Sequence, residues 1–204
     1  LKHVLVVLPL GKTISADCPE NALLAATLKR RGKKIEILAK APLAATTAAG
    51  TLRVWCMLDP AKPVFEQQVL LRKALQILLD EQPARIDILL AGDDAFAGVA
   101  PTLAVYVGLA NGAPLPTAKS KEMPSPLKEL ALWNGRPAAI AVALAEASVL
   151  ARSLIVQPPN SLTPAAYRCR LAQMAPENGW QIEEYDVDKL RKLGAGAFIA
   201  VAQG

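Results

Sequence analysis

The chain has 204 residues, of which 52% are hydrophobic, 4% aromatic and 20% charged, and 23 Lys and Arg against 18 Asp and Glu give a formal net charge of +5. This length and apolar fraction favour a folded protein with a buried core and exclude intrinsic disorder. Charged residues or proline interrupt every apolar run before it reaches the roughly 20 residues of a membrane span, and the start lacks a signal-peptide cleavage pattern. The three cysteines are widely scattered, without a C-x-x-C pair, and indicate reduced thiols in a cytoplasmic protein.

The first 135 residues alternate between strand-like and helix-like patterns. The predicted strands are Val4–Leu8, Ile35–Leu38, Leu52–Leu58, Ile86–Leu90 and Leu127–Trp133. The predicted helices are Pro19–Arg31, Val64–Asp80 and Ala95–Ala110. This alternation predicts an α/β fold with a largely parallel or mixed sheet.

A proline-rich connector interrupts this pattern at residues 114–126. It contains Lys119 and Lys121, and Lys128 follows it, so that the connector carries a basic surface. A solvated surface is favoured over a nucleic-acid footprint here, because no aromatic side chains are interleaved with the lysines.

The last third of the chain begins with a long Ala-rich helix that Pro137 opens and that runs to about Val156. Further helices are predicted at Pro164–Met174 and Val187–Leu193, and strands at Gln181–Tyr185 and Phe198–Val201. An isolated apolar strand at the end would leave a hydrophobic edge without a partner. The chain is therefore expected to be a piece of something larger.

Four local patterns were candidates for chemistry, and simpler roles are favoured for each. Gly11-Lys12-Thr13 matches only the end of a phosphate-binding loop, because Val6 stands where the pattern needs glycine. Gly92-Asp93-Asp94 follows a strand and could contact a ribose or a metal, but helix capping is favoured. Gly194-Ala195-Gly196 precedes an apolar run and indicates a tight turn. The single histidine, His3, is expected in the core rather than in a catalytic or zinc site.

Two ordered motifs carry a family resemblance. Ala151-Arg152-Ser153-Leu154, followed by Pro158-Pro159-Asn160-Ser161-Leu162-Thr163-Pro164, resembles the segment that opens the catalytic domain of leucyl (cytosol) aminopeptidases. The run from Leu193 to Gly204 is similar to a glycine-containing turn and strand of that family. The motif residues are assigned structural roles, with Asn160 or Thr163 as the cap of the next helix. They are Arg152, Pro158, Pro159, Asn160, Leu162, Thr163, Pro164, Gly194, Gly196 and Gly204.

The resemblance implies a domain plan. It implies a macro-like, three-layer α/β domain over residues 1–135, a linking helix over 136–157, and the incomplete start of a metallopeptidase catalytic domain over 158–204. It also implies a hexameric cytosolic enzyme that releases N-terminal amino acids from peptides with two divalent ions, manganese or zinc. The family's ligand motif, of the N-T-D-A-E-G-R type, is absent here, so no catalytic or metal residue is assigned and this chain alone is expected to be inactive.

Two other functions stay open. The N-terminal domain of the family is similar to macro domains, which suggests a nucleotide- or DNA-binding module that uses Lys119, Lys121 and Lys128. The alternative is a purely structural domain that packs copies of the protein into an oligomer.

Overall fold

A computed structural model describes residues 2–14, 18–92, 94–117 and 127–202. The strands are β1 (His3–Pro9), β2 (Leu43–Thr46), β3 (Leu52–Leu58), β4 (Arg85–Leu90) and β5 (Glu129–Trp133). The α-helices are α1 (Asn21–Arg30), α2 (Val64–Leu79), α3 (Asp94–Gly112), α4 (Ile140–Ile155), α5 (Pro164–Asn178), α6 (Val187–Lys192) and α7 (Gly196–Val201), with a 3-10 helix at Ile35–Ala39.

The five strands form one mixed sheet in the order β2-β3-β1-β4-β5. Strands β3, β1, β4 and β5 are parallel, and β2 is an antiparallel edge strand beside β3. Strand β1 lies at the centre of the sheet, and its Leu5 lies opposite Val54 of β3 on one side and opposite Ile88 of β4 on the other. The predicted α/β fold with a mixed sheet is therefore confirmed.

Alternating side chains of the strands supply two separate cores. Leu5 and Val7 point to the face that α2 and α3 cover, where Leu71 and Leu75 of α2 are fully buried. Val4 and Val6 point to the opposite face, where they join Leu24 of α1 in the second core. The sheet is therefore the middle of three layers, as the period-2 geometry of a strand requires.

The sequence predictions were wrong at three segments. The Ile35–Leu38 segment is a 3-10 helix and not a strand, because i to i+3 spacing brings the buried Ile35 and Leu38 to one side. The segment Gln181–Tyr185 forms no strand, and Phe198–Val201 lies in helix α7. The edge strand β2, of sequence Leu-Ala-Ala-Thr, was not predicted.

The chain divides into two compact units, residues 1–156 and residues 157–204. The first unit contains the sheet and helices α1 to α4, and the second contains α5 to α7. Buried side chains of the second unit are confined, among its described residues, to Met174 and Ala175. Within the described residues, no helix combines the length and apolarity needed to cross a membrane.

Candidate functional site

The motif around residues 158–164 builds the start of helix α5. The backbone N–H groups of Ser161 and Leu162 donate to the carbonyl oxygen of Pro158 over 2.9 and 3.0 Å, which forms a turn. The hydroxyl of Thr163 then accepts a hydrogen bond from the N–H of Ala166 at 3.2 Å, and Pro164 occupies the first turn. Of the two predicted caps, Thr163 is the one that the structure uses.

The second motif forms a tight turn between α6 and α7. Gly194 has φ +72°, a left-handed conformation that favours glycine, and its carbonyl oxygen accepts a hydrogen bond from the N–H of Gly196 at 2.8 Å. Gly196 then begins helix α7, so the run after it differs from the predicted strand. Gly204 lies outside the described residues.

Arg152 lies on helix α4, where its guanidinium donates a hydrogen bond to the carbonyl oxygen of Ala110. Ala110 belongs to the last turn of α3, whose carbonyls have no partner within their own helix. The hydroxyls of Tyr106 on α3 and Ser148 on α4 are also joined, at 3.1 Å. Arg152 therefore ties α4 to the end of α3.

The same part of the first unit contains a cavity of about 420 Å³ between α2, α3 and α4. Its polar lining side chains are Gln68, Arg72, Tyr106, Asn111, Ser148 and Arg152. Apolar side chains of Phe65, Val69 and Val107 complete the walls. Sequence reasoning singled out Arg152 alone from this group, because the other members lie on three helices that only folding brings together.

Asp87 on β4 is the most deeply buried acidic side chain among the described residues, with 1% of its surface exposed. Arg85 donates to it through Nη2 at 2.7 Å and Trp133 donates through Nε1 at 3.0 Å. Burial acts to raise the pKa of Asp87, but the hydrogen bonds from Arg85 and Trp133 outweigh it and hold the pKa below its ordinary value. The signal in the sequence was an acidic residue within the predicted strand Ile86–Leu90, whose other residues are apolar.

The two adjacent glutamates of the second unit, Glu183 and Glu184, form exposed ion pairs. Glu184 pairs with Arg168, and Glu183 accepts a hydrogen bond from Lys189 at 2.9 Å. The Lys189 ammonium also lies 4.1 Å from the centroid of the Tyr185 ring. Hydrogen bonds from Lys189 and Tyr185 lower the pKa of Glu183. These exposed pairs link α5 and α6 to the segment that connects them.

Of the remaining predicted residues, those that the structure describes do not gather into a site. Lys119 and Lys121 lie outside the described residues, as does Asp93, and Lys128 is exposed. His3 is half-buried, with Nε2 at 2.9 Å from a carboxylate oxygen of Glu81. In the part of the chain that the structure describes, no three His, Cys, Asp or Glu side chains come together to hold a metal ion.

Comparison with known proteins connects the chain to aminopeptidases. No protein-family model matches it. A probable cytosol aminopeptidase of Methylorubrum populi is 45% identical over 64 residues, which are 31% of this chain and 13% of that protein. The chain thus matches only about an eighth of the length of this relative.

Solved structures are similar over nearly the whole chain. A mutant of tomato leucine aminopeptidase matches 95% of this chain and 44% of its own, with a TM-score of 0.68 at 14% identity. The bottromycin maturation enzyme BotP, solved in complex with Mn, matches 95% of this chain and 40% of its own, with a TM-score of 0.64 at 20% identity. The predicted resemblance to leucyl (cytosol) aminopeptidases is confirmed, and at these identities the structures establish the shared fold.

Proposed function

We propose that this chain is the N-terminal, non-catalytic portion of a metal-dependent aminopeptidase that removes N-terminal amino acids from peptides in the cytoplasm. The observation that carries the proposal is the 45% identity over 64 residues with a probable cytosol aminopeptidase. The fold supports it, because 94–95% of the chain matches 41–44% of two leucine aminopeptidase structures.

The catalytic centre of the proposed enzyme belongs to a part that this chain does not match. More than half of the tomato leucine aminopeptidase chain and more than half of the BotP chain have no counterpart in the 204 residues. In the complete enzyme, two divalent ions, manganese or zinc, would polarise the peptide carbonyl and activate water. No residue of this chain is assigned a part in that chemistry.

The family-motif residues are proposed to have scaffold roles. Thr163 caps α5, Pro158 anchors the preceding turn and Gly194 reverses the chain before α7. The domain plan of residues 1–135, 136–157 and 158–204 is retained as part of the proposal. Assembly into a hexamer is also retained, as the arrangement that the family resemblance implies. The named relatives and solved structures are aminopeptidases, and they favour this reading over the DNA-binding alternative.

An activity assay tests the proposal. The 204-residue chain and a version extended by whatever its gene encodes after Gly204 are each incubated with leucine amide and Mn²⁺ or Zn²⁺. We expect hydrolysis by the extended protein and none by the chain alone. Hydrolysis by the chain alone would contradict the non-catalytic assignment. A metal-loaded, folded extended protein without activity on any peptide would contradict the aminopeptidase assignment.

A further inference from the structure

We propose that the cavity between α2, α3 and α4 binds a small organic oxyanion, a carboxylate or a phosphate ester that carries an apolar body. The site lies wholly within the first compact unit and uses no residue of the proposed peptidase chemistry. Its volume of about 420 Å³ falls within the range of roughly 300–1,000 Å³ that small-molecule sites occupy.

The charge of the cavity is the first argument. Two lining residues, Arg72 and Arg152, are cationic, and none of the ten described lining residues is acidic. Neither arginine forms an ion pair with a described residue. Residues three and four positions away from each arginine along its helix are also uncharged. Guanidinium groups without a carboxylate partner present paired N–H donors that match carboxylate and phosphate oxygens.

The second argument is that one of the two cations is held in place. The guanidinium of Arg152 donates to the carbonyl oxygen of Ala110, and its side chain is half-buried. An arginine has five N–H groups, so this bond leaves donors for a ligand. A fixed guanidinium loses less conformational entropy on binding than a mobile one.

Neutral polar and apolar groups complete the site. The Tyr106 and Ser148 hydroxyls, 3.1 Å apart, add donors and acceptors beside the arginines. Phe65, in the first turn of α2, is 74% exposed and contributes an aromatic surface at the rim. An aromatic ring beside cationic donors suits a ligand with an anionic end and an apolar end.

The test uses the full 204-residue chain and calorimetric titration at about 0.15 M ionic strength. The probes are phenyl phosphate, N-benzoylglycine and inorganic phosphate. We expect saturable binding of an aryl probe that is tighter than binding of inorganic phosphate. The tighter of the two aryl probes identifies phosphate or carboxylate as the preferred group. Absence of saturable binding by both aryl probes would overturn the proposal.

Two variants separate local recognition from general charge. Arg72→Gln removes a lining cation and should weaken binding by about tenfold or more, the usual effect of losing a charge-assisted hydrogen bond. Lys73→Gln removes the same charge from the next position of α2, which does not line the cavity, and should change affinity less than about twofold. Equal losses in the two variants would overturn the proposal.

A third variant addresses the fixed arginine without removing its charge. Arg152→Lys retains a cation and N–H donors at this position but lacks the planar fork. We expect weaker binding with an unchanged melting temperature. Undiminished binding in both Arg152→Lys and Arg72→Gln would contradict recognition by the two guanidinium groups.

Discussion

Replacement of Asp87 by asparagine tests whether the negative charge of this buried side chain, and not its shape, stabilises the fold. The carboxylate accepts hydrogen bonds from Arg85 at 2.7 Å and from Trp133 at 3.0 Å, and only 1% of the residue is exposed. Asparagine keeps the shape and one acceptor oxygen but loses the charge. A hydrogen bond to a charged group contributes about 1.5–3 kcal/mol, and the solvent exposure of Arg85 favours the lower end. We expect the free energy of unfolding to fall by about 1.5–2 kcal/mol at pH 7.

The pH dependence makes this prediction specific. Because the pKa of Asp87 is below its ordinary value of 3.8 in the folded state, the contribution is present above that value and is lost as pH falls through the folded pKa. Urea unfolding followed by circular dichroism should therefore show a difference between wild type and Asp87→Asn that is constant from about pH 5 to 7 and shrinks below about pH 4. Asp80→Asn, at an exposed position, is the matched control. A difference as large at low pH as at pH 7 would refute the reasoning.

Three other changes probe the second unit and the cysteines. Thr163→Ala removes the cap of α5 and should destabilise that helix by about 1 kcal/mol, visible as faster amide hydrogen exchange in its first turn. Gly194→Ala places a side chain at φ +72° and should cost about 1–2 kcal/mol in thermal unfolding, whereas Gly196→Ala, in open space without positive φ, should cost less. Mass spectrometry after iodoacetamide treatment at pH 8 should find exposed Cys169 modified and Cys56 protected, since burial raises the pKa of Cys56 to about 12. Equal labelling of both cysteines in the folded chain would contradict the burial of Cys56.

Long periodic segments were predictable from the sequence. Helix α2 matches its prediction to within one residue, because leucines at 71, 75 and 78 recur at helical spacing on one face. Strand β3 matches at both ends, since a β-rich apolar run is closed by Asp59-Pro60. In both segments the local preference and the buried position agree.

Short segments were decided by their neighbours. Strand β2 has weak strand propensity and exists because Leu43 pairs with Trp55 at the open edge of β3. Helix α7 has the composition of a strand, but an isolated strand leaves its backbone groups without partners. Within α7 the N–H of Ile199 instead donates to the carbonyl of Ala195 at 3.2 Å. A short apolar run fits either structure, so the available partners determine which one forms.

The candidate sites divide in the same way. Thr163, Pro164 and Gly194 act on their own backbone or that of near neighbours. The roles of Pro164 as an early helical residue and Gly194 as a turn residue were predicted from the sequence alone, whereas the cap was predicted as either Asn160 or Thr163. Asp87 on β4 and Trp133 on β5 are 46 residues apart in the chain and are joined by a hydrogen bond between neighbouring strands. The oxyanion cavity joins Arg72 and Arg152 from different helices. The sequence determined the local geometry and the family resemblance, whereas only the tertiary structure decided which distant charges meet, because such contacts depend on how the helices and strands pack together.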